Sequence, residues 1–296
     1  MKKVVAMTIH NRTPKIIKSV FASFVFPGNR PDAVAVCYDR APKNSVATLR
    51  HECRTKGIEL RETFMFDGPK GFRCPSAAWN AVFDLIDEDH AFCISSDVVL
   101  APHAIGKAYH MAAEFPDWII VGRTEHCGPS YHSRIEAEGK DEKLIFKSRV
   151  MTSSYYLNPL GFAWLLPMKT VREIGGYSME FMDGFCFEDN DFTIRMWNAG
   201  ADIMFDDDVL ALHMEHPRPH VLDEEKVGRN RKIFERIYGD VDYIKTGLKS
   251  HNWTNAATEG GPLGACCHKA DYQIIERIMA ADMTYGNNEP WRAIKA

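Results

Sequence analysis

Residues 157–200 read LNPLGFAWLLPMKTVREIGGYSMEFMDGFCFEDNDFTIRMWNAG, from Leu157 to Gly200. The apolar run GFAWLLP has the length of a buried strand. A short helix, a Gly-Gly turn and an acidic loop that becomes a helix follow it. Glu188, Asp189 and Asp191 stand at the mouth of that last helix. Carboxylates at a helix N-terminus can be there only to complement the helix dipole, for a few tenths to about 1 kcal/mol each. The apolar Phe185-Cys186-Phe187 just before them argues against a merely solvated cap and for a site. Asp191 lies four residues before Arg195, the spacing of an intrahelical ion pair.

Upstream of this stretch, strand-like and helix-like segments alternate. Lys3–Ile9 is β-rich, and Thr13-Pro14 has the form of an N-cap followed by proline in the first turn. Ile16, Ile17, Val20, Phe21 and Phe24 supply the apolar stripe of the helix behind it. Strands are expected at Ala33–Tyr38, Ile58–Phe66, Ala91–Ile94 and Trp118–Gly122. Helices are expected at Ser45–Lys56, Pro75–Ile86 and Pro102–Phe115. This β-α order predicts an α/β fold with a mostly parallel sheet and helices on both faces. Ligands of such sheets bind beyond the carboxyl ends of the strands. There the sequence places His10, Asn11, Arg12, Asp39 and the Ser95–Asp97 turn. Downstream, Ala201–His213 reads as two short strands broken at Asp206–Asp208. A mixed-charge helix is expected over Asp223–Tyr238, and a helical and irregular extension over 241–296.

Composition excludes several classes. The chain has 296 residues, is 45% hydrophobic and carries a net charge of −4, enough for a large core and without the global basic footprint of a nucleic-acid binder. No apolar run reaches the roughly 18 residues of a membrane span. The first apolar stretch is short and ends in His10-Asn11-Arg12, so it reads as a strand and not a leader, and the expectation is a cytoplasmic protein, free or peripheral to the membrane. Eight scattered cysteines without CxxC spacing point away from a zinc ribbon and a disulfide framework. GxGxxG and GxxxxGK[ST] are both absent, so neither a dinucleotide oxidoreductase nor a P-loop ATPase is indicated.

Taken in order, the first strand and helix, the Asp39 strand end, Ala77-Ala78-Trp79-Asn80, Ile94-Ser95-Ser96-Asp97, Ile174-Gly175-Gly176-Tyr177, Glu188-Asp189-Asn190-Asp191-Phe192 with Arg195, and VLALH ending in His213 form a set. Over about residues 3–240 this set resembles family 2 glycosyltransferases of the GT-A fold. The resemblance implies one GT-A domain over 1–240, with a nucleotide-binding half (1–122) and an acceptor and catalytic half (153–240). It implies transfer of a sugar from a nucleotide-diphosphate donor, a UDP-sugar by default, to an acceptor hydroxyl with inversion.

The same resemblance distributes roles. Asp189 is the general base, and Glu188 beside it orients the acceptor or tunes the base. Thr8, His10, Arg12, Asp39, Arg73 and Asn80 hold the donor nucleotide. Asp97 matches the second aspartate of the family's Asp-x-Asp turn, the first being replaced by Ser95. With His213 it is expected to hold Mn²⁺ or Mg²⁺, hard cations that carboxylate oxygens suit and that stabilise a diphosphate leaving group. Ser95, Trp164, Asp191, His216 and Arg218 are further candidates for phosphate or acceptor contacts, Trp164 by stacking on a sugar. The residues alone leave other readings open: a nucleotidyltransferase, disfavoured by the lack of glycines after the first strand, or a non-catalytic nucleotide-sugar binder. The acceptor is expected to be a glycan or lipid-linked saccharide. A nucleic-acid base is the minor alternative, on the strength of the basic run Lys226–Arg236.

Overall fold

The computed structural model describes residues 1–65, 74–127, 155–156, 162–214 and 224–238. The predicted loop residue Arg73, the predicted contacts His216 and Arg218, and the extension 241–296 lie outside them. Among the described residues the elements run β1 (Val4–Ile9), α1 (Pro14–Ser23), β2 (Ala33–Asp39), α2 (Lys43–Lys56), β3 (Glu59–Met65), α3 (Ser76–Phe83), β4 (His90–Ile94), β5 (Val98–Leu100), α4 (Ala104–Glu114) and β6 (Ile119–Cys127). Then come β7 (Tyr155–Tyr156), β8 (Ala163–Pro167), α5 (Met168–Glu173), α6 (Glu188–Asn198), β9 (Ile203–Met214) and α7 (Glu224–Tyr238).

One sheet carries all these strands, in the order β3-β2-β1-β4-β8-β6-β9-β5, with β7 on β6. β1, β2, β3, β4, β6 and β9 run one way, and β8, β5 and β7 run against them. The predicted α/β fold with a mostly parallel sheet is therefore what forms. The decisive run supplies the central exception to its parallelism: β8 lies antiparallel between β4 and β6, Cys93 facing Trp164 on one side and Val121 facing it on the other. The expected break in the last strand is a register shift. Gly122 pairs with Asp206 and the next residue, Arg123, with Leu210, so β9 continues past three extra residues as one strand.

Period-two alternation sorts the core. Val5, Met7 and Ile9 of β1 join the cluster under α1, α2 and α4, while Val4 and Ala6 join the cluster under α3, α5 and α6. A smaller cluster, Phe181, Phe187, Ile194 and Phe234, lies under α7. Local signals behave as expected: Thr13 Oγ1 accepts from Ile16 N, and Gly57 ends α2 in the left-handed conformation at φ 62°. On the second face Trp79, Phe83, Tyr177 and Phe192 form stacked pairs, Tyr177 lying 4.2 Å from Phe192 at 9°.

Tyr109 of α4 locks the sheet's first face to its central strands. Its hydroxyl accepts from Val4 N at 2.8 Å and lies 3.0 and 3.2 Å from the Val4 and His90 carbonyls. Removing that hydroxyl leaves the buried Val4 N–H without its acceptor. Tyr109→Phe is therefore expected to lower unfolding free energy by about 1–3 kcal/mol, read as a shifted urea midpoint at unchanged slope.

Candidate active site

Two groups of polar side chains are built around this sheet. The first surrounds Asp97, which follows β4 and is 0% exposed. A carboxylate so buried requires partners. Arg12 Nη2 lies 2.6 Å from Oδ2, Ser95 Oγ donates to Oδ1 at 2.6 Å, and His213 Nε2 lies 3.5 Å from Oδ1. The register Val98↔His213 between β5 and β9 brings the histidine there, and Met214 N donates to the Asp97 carbonyl. Phe162 meets the His213 ring edge-on at 5.0 Å. Asn11, at φ 47°, turns the chain after β1 so that Arg12 faces Asp97. Ser45 at the start of α2 donates to the Arg12 carbonyl. Arg12 Nε is buried with no hydrogen-bond partner among the described residues. Next to this group, His10 Nδ1 lies 3.0 Å from the Asp39 carbonyl and 3.8 Å from Oδ2, and Arg40, at φ 53°, places its Nε 3.3 Å from Oδ1. Thr8 sits on the same strand end, in register with Cys37. The predicted residues Thr8, His10, Arg12, Asp39, Ser95, Asp97 and His213 thus come from four separate stretches to the ends of neighbouring strands.

The donor set near Asp97 fits a hard divalent cation with substrate oxygens completing the shell. Two ligands on bonds of about 2.1 Å stand roughly 3 Å apart, and Mg²⁺ sites commonly use one or two protein donors plus phosphates and waters. The Asp97–His213 pair has nearly that spacing. No cluster of three or more His, Cys, Asp or Glu with ligand geometry occurs among the described residues. Ser95, standing where the resemblance calls for an aspartate, holds Asp97 in place of adding a ligand.

The second group is the acidic mouth of α6. Cys186 and Phe187 precede it at φ 64° and 70°, left-handed conformations that side-chain-bearing residues seldom adopt. Such strain, about 1–3 kcal/mol per residue, persists only where surrounding contacts enforce it, and it gathers at functional sites. Glu188 is 9% exposed, and its Oε2 is buried without a hydrogen-bond partner among the described residues. Burial first, and the neighbouring Asp189 charge second, push its carboxyl up to about 8, against a smaller opposing pull, chiefly from a backbone hydrogen bond. Burial and the adjacent charge thus favour the neutral form of Glu188. Asp189 is half-buried, and its Oδ1 accepts from the Tyr177 hydroxyl at 3.0 Å. Burial and the Asp189 charge hold the Tyr177 phenol well above its ordinary pKa, so it stays a donor.

Tyr177 is itself bracketed. Its backbone N donates to Asn80 Oδ1 at 2.7 Å, and Asn80 Nδ2 donates to its carbonyl at 2.9 Å. Gly176, at φ 72°, is required here, since a Cβ would stand 2.3 Å from Asn80 Oδ1. This corrects the nucleotide contact expected of Asn80: both ends of its amide are spent on the Gly-Gly-Tyr turn. Trp164 is likewise not a sugar platform. It is 1% exposed and packs against Phe192 at 5.6 Å, because β8 is covered on both faces. Asp191 is no acceptor contact either. As the spacing predicted, Arg195 Nε holds its Oδ2 at 2.8 Å, while Tyr238 of α7 donates to Oδ1 at 2.9 Å. Tyr177, Asn230 and Tyr238 escaped the sequence reading. Tyr177 stood inside the quoted IGGY motif, but only the structure shows what its hydroxyl reaches.

The sheet and its paired strand ends define a glycosyltransferase-like fold. Among solved structures the chain is similar to the mannosyltransferase PcManGT from Pyrobaculum calidifontis, in complex with GDP-Man and Mn²⁺: TM-score 0.52 at 11% identity, covering 99% of this chain and 78% of that one. No protein-family model and no curated protein sequence matches the chain. Among the described residues no helix is long and apolar enough to cross a membrane.

Glu188 makes stability depend on pH with a definite sign. Its folded-state pKa is raised, so between about 4.5 and 8 the unfolded chain binds fewer protons than the folded one. Its contribution is lost as pH rises through that window. Melting temperatures measured from pH 5 to 9, an interval of about four units, are expected to fall more steeply for wild type than for Glu188→Gln. Parallel curves would contradict the raised pKa.

Proposed function

We propose that this chain is a family 2 GT-A glycosyltransferase. It moves a sugar from a nucleoside-diphosphate donor to an acceptor hydroxyl with inversion, Asp189 serving as general base. The observation that carries this reading is the contrast within Glu188-Asp189. Neighbours in sequence, they occupy unlike surroundings: one is buried with an unpartnered Oε2 among the described residues, the other half-open and held by a phenol. Environments that drive two carboxyls apart mark acid–base assignments.

The acceptor oxygen attacks the anomeric carbon while the bond from that carbon to the diphosphate oxygen breaks. The acceptor proton passes to the Asp189 carboxylate, and the bonding pair leaves with the nucleoside diphosphate. Tyr177, donating to Oδ1, fixes the carboxylate's direction. Burial of Glu188 favours its neutral form and so lessens the charge beside the base. Arg12, whose Nε–H has no hydrogen-bond partner among the described residues, supplies positive charge to the diphosphate. His10 and Asp39 would meet the nucleoside. Asp97 and His213 would hold Mn²⁺ or Mg²⁺, which when bound supplies Lewis-acid charge to the leaving group.

UDP is our first choice of donor nucleotide. GDP is its first competitor, because the mannosyltransferase of similar fold is in complex with GDP-Man. For the acceptor we favour a glycan or lipid-linked saccharide over nucleic acid. Arg229 and Arg236 of α7, part of the basic run that motivated the alternative, are paired with Asp183 and Glu180.

Thermal-shift screening of nucleoside diphosphates and their sugars with and without Mn²⁺ tests the donor side. A nucleotide-dependent rise that Asp97→Asn abolishes is expected, and no rise with any nucleotide would sink the donor assignment. For the base, Asp189→Asn is expected to cost about 10²–10⁴-fold in transfer while nucleotide binding persists. Full activity of that variant would remove Asp189 from the role.

A further inference from the structure

The conformation that presents Asp189 is imposed from outside the sheet. We propose that Asn230 of α7 is a positioning residue for the base: it holds the Cys186–Phe187 turn in its strained form and so sets where α6 begins. This rests on the reading of Asp189 as base. Asn230 is 0% exposed, and its Nδ2 donates to the Phe181 carbonyl at 3.0 Å and the Cys186 carbonyl at 2.8 Å, with Cys74 Sγ at 3.4 Å. One amide thus ties both ends of the loop that leads into the acidic mouth. A flipped amide would aim its oxygen at two carbonyl oxygens, so the orientation is fixed.

The arrangement is costly in three ways. Asn230 Oδ1 is left buried and, among the described residues, unpartnered. Cys186 and Phe187 take left-handed backbone angles without being glycine. Gly184 must be glycine, since a Cβ would stand 1.9 Å from Asn230 Oδ1. A site that tolerates an orphaned acceptor beside two strained residues is serving geometry more than stability. The geometry has a direct outlet. The Phe187 carbonyl accepts from Asp191 N at 2.9 Å and opens α6, whose first turn carries Glu188 and Asp189.

The rest of α7 grips the same segment. Phe185 N donates to the Lys226 carbonyl, Arg229 pairs with Asp183, Arg236 with Glu180, and Tyr238 reaches Asp191. Phe234 packs on Phe187 at 5.4 Å. The base is therefore held twice, its tip by Tyr177 and its backbone origin by α7.

The test uses the full chain with Asn230→Ala and, separately, Gly184→Ala, which keeps Asn230 but displaces its amide. Assays run well below the lowest melting temperature. Both variants are expected to lose about 100-fold in kcat for transfer, with affinity for the nucleoside diphosphate and Mn²⁺, measured by calorimetry, within about twofold of wild type. Unchanged kcat overturns the proposal, as does a proportional fall in kcat and binding stoichiometry, which would mean only lost folded protein. A second readout needs no activity. Opening the turn hydrates Glu188, so the effect of Glu188→Gln on pH-dependent melting, present in the otherwise wild-type chain, should vanish in a chain that carries Asn230→Ala. Its persistence overturns the proposal even if wild type transfers no sugar, an outcome that would itself refute only the base assignment.

Discussion

The buried charge of Asp97 is the constraint on which the polar group at the ends of β1, β4 and β9 rests. A carboxylate without water must be compensated, and breaking such an arrangement by removing one partner typically costs about 3–5 kcal/mol. Its partners come from the loop after β1, from its own turn and from the far end of β9. Satisfying one charge therefore brings two distant segments, the loop after β1 and the end of β9, to one turn. The pairing also leaves Arg12 anchored through Nη2, with its buried Nε–H lacking a hydrogen-bond partner among the described residues.

The acidic mouth is governed by the opposite economy. There the two adjacent carboxyls, Glu188 and Asp189, are separated by environment. Glu188 is driven into the apolar layer with Cys74, while Asp189 faces outward under the Tyr177 hydroxyl. Tyr177 can serve because its ring is stacked on Phe192 and its backbone is clamped by Asn80. An aromatic core layer and a helix amide are thus converted into the direction of a single carboxylate. Asp191, third in the acidic run, is withdrawn altogether into a structural pair.

Much of this was legible in the chain. Alternation along β1, the Thr13-Pro14 cap and the Gly57 stop fix local elements because their causes are local. The spacing Asp191–Arg195 gave a true ion pair for the same reason. What could not be read is non-local. GFAWLLP announces a buried strand but not that it runs backwards between β4 and β6. Asn80 was misjudged because a polar residue near the strand ends looks alike whether it meets a ligand or a turn. Trp164 was open to better reading, since an uninterrupted apolar run signals cover on both faces. Helix α7 was legible as a mixed-charge helix, but Asn230 acquires meaning only against the carbonyls of residues 181 and 186.

The backward strand has a consequence for how the molecule comes into being. Synthesis delivers β1 to β5 early, yet β4 gains its second sheet neighbour only when β8 arrives, and Asp97 meets His213 only when β9 does. The half of the protein made first is thus completed by the half made last. Until then an open strand edge and an incompletely compensated carboxylate persist in the nascent chain, a state prone to wrong pairings. The topology thus ties the completion of the Asp97 group to the emergence of β9, the last strand among the described residues.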